Sequence, residues 1–140
     1  MKRRLKQNVE LCTKLKMKSI PEKEVYEYIK YIYNDIIIRN DNKILNGKEL
    51  DIYLPKLNLA FEVNGDFWHL NPELYDDSYN YHGRTVESEK ERRNEKNILS
   101  NNKGIELVHI WQYDWNNRKR KTKKLIRNAI INKLKNNIYK

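Results

Sequence analysis

Two carboxylates stand where a folded core has little use for charge. The stretch from Gly47 to His69, GKELDIYLPKLNLAFEVNGDFWH, holds two strand-like apolar runs with Asp51 and Glu62 inside them, and Phe67, Trp68 and His69 follow at once. A carboxylate facing a core is costly unless a cation meets it. Carboxylates on the two strands of one hairpin can end on the same side of a sheet. Their oxygens, with water, suit a hard cation such as Mg²⁺, which is completed by phosphate and water rather than caged by protein. Such an ion polarises a phosphoryl oxygen and activates a bound water. His69, with an ordinary pKa near neutrality, is a candidate general acid or base. The competing readings are structural: Asp51 as a salt-bridged edge-strand residue, Glu62 as the partner of Lys56 or Arg39, and Phe67 and Trp68 as core.

Charge points to the partner. The chain has 140 residues and a net charge of +10, with an isoelectric point near 9.6 and a mean hydropathy of -0.99. Basic residues gather at both ends, from Lys2 to Lys18 and from Arg118 to Lys140. Nucleic acid is the expected partner, because neutralised phosphates release counterions and add salt-sensitive affinity. Lys2, Arg3, Arg4, Arg118, Lys119 and Arg120 are the candidate backbone contacts; these position a duplex without reading its sequence. A membrane surface is the weaker alternative, since neither basic segment has the apolar face an interfacial helix needs. No apolar run approaches the roughly 18 residues of a membrane span. The basic start lacks the apolar segment of a signal peptide, so a cytoplasmic location is expected. The single cysteine, Cys12, excludes an internal disulfide and a cysteine-rich zinc site.

The elements that must position these residues read as one domain, 19–140, preceded by a basic arm or helix at 1–18 and ending in a basic helix. Ser19 starts a helix to about Asn34, with Val25, Ile29, Ile32 and Tyr33 on one face and Glu22 at capping-box spacing from Ser19. Ile36 to Ile38 reads as a short strand and Asn40 to Gly47 as a polar loop. Leu50 to Leu54 and Leu57 to Val63 form a hairpin turning at Pro55-Lys56. An irregular loop spans Asn71 to Arg84. Thr85 or Ser88 caps a helix ending near Gly104, and Ile105 to Trp111 reads as a central strand. The last helix runs from about Lys119 to Asn137. His82 and His109 read as structural, and Asp114 as a helix-start residue. The order predicts an α/β fold with a small mixed sheet flanked by helices.

GKELDIYLP followed by AFEVNGDFWH resembles the core of the very-short-patch-repair (Vsr-like) endonucleases. It is also similar to the phage homing endonucleases grouped as EDxHD, within the PD-(D/E)XK nuclease superfamily. The similarity runs from about Ser19 to Trp115. It implies a restriction-endonuclease-like core and a Mg²⁺-dependent DNA endonuclease, with Mn²⁺ as a substitute metal. Asp51 matches the metal-binding aspartate, and the Val63 carbonyl falls where the family uses a backbone oxygen. His69 matches the histidine near the scissile phosphate. Glu22, or Glu24 in its place, matches a helix carboxylate that reaches the metal's water. Glu91 matches an acidic residue that orients a catalytic histidine, and Phe67 and Trp68 match aromatics that wedge into a duplex.

The chain departs from the repair members in three places. Asn64 stands where they have a second histidine. Asp66 and Asn71 lie in the region of their zinc-binding cysteines, which moves the likeness toward the homing group. Glu62 is an addition that gives a D…E-x-N form, with Asn64 standing in for the superfamily's lysine. The resemblance implies a bacterial or phage-infected cell as the setting; homing enzymes usually carry a specificity module, for which 140 residues leave little room, and the sequence leaves open whether one acts in trans. A mismatch-directed nicking enzyme and an inactive DNA-binding module on the same fold are the alternatives.

Overall fold

Strand alternation sorts this chain into two unlike sheet faces. On the third strand, Leu59, Phe61 and Val63 point one way and Ala60, Glu62 and Asn64 the other, as the period of two requires. The computed structural model describes residues 20–138; the expected arm at 1–18 and Ser19 lie outside them. The elements are α1 (Ile20–Ile32), β1 (Ile38–Leu45), β2 (Lys48–Leu54), a 3₁₀ turn (Pro55–Leu57), β3 (Leu59–Asn64), α2 (Val86–Asn102), β4 (Glu106–Trp111), α3 (Gln112–Asn117) and α4 (Lys119–Ile138). They build one α/β domain around a mixed sheet in the order β1-β2-β3-β4. The first two pairings are antiparallel and β3 runs parallel to β4.

The apolar face holds the main core. Ile52 and Leu54 of β2, Phe61 of β3 and Ile110 of β4 are buried with Val25 and Ile29 of α1, Trp115 of α3, and Ile126 and Ile130 of α4. Each large side chain so buried contributes roughly 2 kcal/mol. The opposite face carries Glu62, Asn64 and His109. It receives α2, whose Lys96 and Asn97 bond to Glu62 and His109. A separate cluster of Phe67, Leu70, Leu74, Tyr75 and Val86 fills the space beneath the loop between β3 and α2. Among the described residues no helix is long and apolar enough to cross a membrane.

The fold corrects three expectations. The polar stretch after Ile38 is a strand rather than a loop, and it turns at Asn46-Gly47 with φ of 54° and 99°. Two positive φ values make the primed turn that matches strand twist. β1 hid its strand character because it is an edge, where polar side chains replace the apolar alternation. β4 also lies at an edge rather than the centre. Finally, Asp114, read as a helix-start residue, lies in the first turn not of the last helix but of a separate short one, α3, between β4 and α4.

Candidate active site

The β2–β3 ladder ends at the pair Ile52↔Phe61. At the next positions side chains take over the backbone bonding. The Asp51 N–H donates to Glu62 Oε1 at 3.0 Å, and the Val63 N–H donates to Asp51 Oδ2 at 2.9 Å. Each strand thus lends a carboxylate to the other strand's backbone, which brings Asp51, Glu62 and Val63 together at one end of the hairpin. Glu62 is 5% exposed. Its second oxygen accepts from Lys96 Nζ at 2.7 Å, so its partner is Lys96 and not Lys56 or Arg39. Those two pair with Asp35 and Glu22.

Burial pushes the Asp51 carboxyl well above the usual carboxylate range, and the neighbouring Glu62 and Glu22 charges push it further. Burial also raises Glu62, against the pull of Lys96. Without a cation the pair favours retaining a proton, and the two carboxyls titrate as a unit. A hard divalent cation fits this donor set of carboxylate and carbonyl oxygens. Among the described residues no group of three or more His, Cys, Asp or Glu side chains is placed to hold a metal ion. An open site of two carboxylates, the Val63 carbonyl and water is the form Mg²⁺ takes. Glu22 acts on Asp51 from α1, and burial raises its own pKa. Glu24 is committed elsewhere, accepting from Trp115 Nε1 at 2.8 Å.

Helix α2 supplies the opposite wall. Thr85 caps it in a reciprocal capping box with Ser88. Its inward side presents Glu89, Arg93, Lys96 and Asn97, at the i, i+4, i+7 and i+8 spacing of one helical face. Glu91 is exposed. It is displaced roughly 200° around the helix from Glu89, so the expectation that it orients the site is corrected. The carboxylate facing His69 is Glu89, 3% exposed and shared by Arg84 and Arg92 at 3.5 and 3.3 Å.

His69 lies on the turn after β3, its ring edge-on to Trp111 at 6.5 Å between centroids. Burial lowers its pKa to about 4; Glu89 opposes this, and the cations Arg93, Lys96 and Arg84 add to it. The ring is therefore neutral at pH 7, not poised near neutrality. It can accept a proton but does not start as an acid.

Asn64 does not take the place of a lysine. It is 1% exposed and its amide lies 3.0 Å from His109 Nδ1, while His109 Nε2 lies 2.6 Å from Asn97 Oδ1. One tautomer, protonated at Nε2, satisfies both contacts. His109 pairs with Glu62 across the β3–β4 ladder and forms part of the pocket floor. The lysine that reaches the carboxylates comes from α2. Lys96 was missed because it lies far along the chain in a run of charges; its helical spacing from Glu89 and Arg93 was the available signal.

The expected nucleic-acid contacts divide. Phe67 is 7% exposed and belongs to the core beneath the loop, so it is no wedge. Trp68 is 39% exposed and packs edge-on against Phe67 at 5.3 Å. Arg118 is clamped by Glu73 at 2.5 Å and Asp114 at 2.7 Å, which neutralises it. Lys119 lies over the Trp115 ring at 5.1 Å, and Arg120 is exposed on α4. Lys2, Arg3 and Arg4 lie outside the described residues.

The walls enclose a pocket of about 540 Å³ lined by Glu62, His69, Glu89, Arg93, Lys96 and His109 among others, with Trp68, Arg84 and Lys48 at its edges. Asp51 does not line it; its N–H bonds to Glu62, which does. Comparison with protein-family models, curated proteins and solved structures finds no match.

Proposed function

We propose that this protein is a Mg²⁺-dependent DNA endonuclease of the Vsr-like or phage homing type on a PD-(D/E)XK-like core. The observation that carries the reading is the carboxylate exchange at the end of the β2–β3 ladder, with Lys96 bound to Glu62. A buried carboxylate and a half-buried one with a single lysine, bound at Glu62, are under-neutralised, and a hard cation would complete the balance. Asp51, Glu62 and the Val63 carbonyl would hold Mg²⁺, which supplies positive charge to a scissile phosphate and acidifies water. Neutral His69 accepts the proton of the attacking water. Lys96 fixes the Glu62 carboxylate and brings positive charge toward the phosphate. Glu22 adds a carboxylate on the α1 side, and Glu89 balances the cations around His69. The net charge of +10 supports a duplex DNA partner.

The test is incubation of supercoiled plasmid with Mg²⁺ or Mn²⁺. Asp51→Ala is expected to abolish cleavage while leaving salt-dependent DNA binding in place. Undiminished cleavage by that variant rejects the metal assignment. The nicking alternative draws support from Trp68 alone, since Phe67 is built into the core; matched and mismatched duplexes separate the two. An inactive binding module predicts no effect of Mg²⁺ on cleavage or on melting temperature.

A further inference from the structure

Among the described residues Arg93 differs from the other cations around the pocket in having no carboxylate partner. Lys96 meets Glu62 at 2.7 Å, Arg84 and Arg92 share Glu89 at 3.5 and 3.3 Å, and Lys48 meets Glu95 at 3.7 Å. Arg93 donates one Nη1–H to the His69 carbonyl at 2.9 Å and lies over the Trp111 ring, 4.8 Å from its centroid. Among the described residues no carboxylate comes within ion-pair distance of it. Glu89 acts on it only through space and is already shared.

A guanidinium carries five N–H donors, and the contacts described use one. A partly buried charge left in this condition is costly unless an anion completes it. Its place is also fixed, by the His69 carbonyl on one side and the indole on another, so little freedom remains to be lost on binding. The cavity it lines is the one holding Glu62, His69 and Lys96. A planar fork of donors matches the paired oxygens of a phosphate.

We propose that Arg93 is the oxyanion anchor of this pocket, its remaining donors gripping the non-bridging oxygens of a phosphodiester beside His69 and the Glu62–Lys96 pair. Naming the anion a phosphodiester rests on the nuclease reading; the binding of an oxyanion there does not.

The test is titration with inorganic phosphate at constant ionic strength in the presence of EDTA, followed by the NMR signals of the Arg93 Nε–H and the Trp111 indole. The wild type is expected to show saturable shifts of both. Arg93→Gln keeps a donor for the His69 carbonyl without the charge, and is expected to weaken binding roughly tenfold or more. Arg93→Lys should recover part of it. Lys124→Gln, which removes one charge from α4 against the other sheet face, should bind as the wild type does. Absence of saturable shifts in the wild type overturns the anchor without recourse to any variant, as does an Arg93→Gln protein that binds phosphate equally well. A wild type that binds phosphate at Arg93 but never cuts plasmid with Mg²⁺ supports the anchor and rejects the nuclease. One that cuts plasmid while Arg93→Gln cuts and binds phosphate equally well rejects the anchor and leaves the nuclease standing.

Discussion

Two sets of polar groups are buried at the same end of the sheet, and they are finished in different ways. At the turn after β3, Asp66 is 3% exposed and accepts from Asn71 Nδ2 at 3.0 Å and from the Tyr113 N–H at 3.2 Å. Its own N–H goes to Gln112 Oε1 at 3.3 Å. Beside it, His109 has both ring nitrogens matched, by Asn64 and Asn97. These groups are closed networks of hydrogen bonds that fasten the β3 turn to β4 and α3. At the other set Glu62 is 5% exposed and Asp51 half-buried; the two acidic groups stand side by side, Glu22 acts on Asp51, and among the described residues Lys96 is the cation that offsets them. Burial alone therefore does not mark a functional site. Among the described residues, what separates the two is how they are finished: neutral hydrogen-bond partners close around Asp66 and His109, whereas Asp51 and Glu62 set two acidic groups together with Lys96 as the offsetting cation.

That contrast can be broken from either side. The largest effect is expected at Lys96. Lys96→Met leaves Glu62 buried without its cation, which costs about 3 kcal/mol in denaturant unfolding, and plasmid cleavage should fall with it. Adding Glu62→Gln should restore most of the stability and none of the cleavage. A double variant as unstable as Lys96→Met alone means that Lys96 acts through packing and not through Glu62. A smaller loss is expected in the closed network. Asn97→Ala strands the His109 Nε2–H, at a cost of about 2 kcal/mol. Its cleavage, measured at a temperature where it is fully folded, should stay close to that of the wild type. A collapse of cleavage there moves His109 from scaffold to chemistry.

The legible part of this molecule was whatever repeats with a local period or breaks it. Helix α1 announced itself through Val25 and Ile29, and the hairpin through its apolar runs about Pro55. Asp51 and Glu62 were visible because they interrupt that alternation. β1 was hidden, since an edge strand reading IRNDNKIL carries no apolar period. Glu91 and Glu89 differ by two positions in a helix where almost every residue is polar, so only the packing of α2 on β3 and β4 could choose between them. Lys96 lies 34 residues from its partner, and nothing local to either residue marks their pairing. Phe67 and Trp68 are neighbours of the same chemistry; the loop core beneath them takes one and leaves the other half in solvent. Asn64, expected to stand in for a lysine, bonds to His109 instead, and the lysine that meets Glu62 comes from a different element, α2.

The remaining effect, read through pH, sharpens the comparison most cleanly, because it lies in the closed network and needs no metal. Burial raises the Asp66 carboxyl from 3.8 to about 6, against the lowering effect of its bonds to Asn71 and the Tyr113 amide. The folded chain then holds a proton that the unfolded chain has released across that interval. By linkage, this group's contribution to stability is fully present below about pH 4 and is lost as the pH rises through about 6. Asp66→Asn keeps a carbonyl oxygen for the same two donors and removes the ionisation. Its melting temperature is expected to depend less on pH between 4 and 6 than that of the wild type, and to lie above the wild type at pH 8. Parallel melting curves for the two proteins would mean that the turn tolerates the charge without strain. Asp66 would then resemble an ordinary hydrogen-bonded carboxylate, and the burden of buried, uncompensated charge would fall on Asp51 and Glu62 alone.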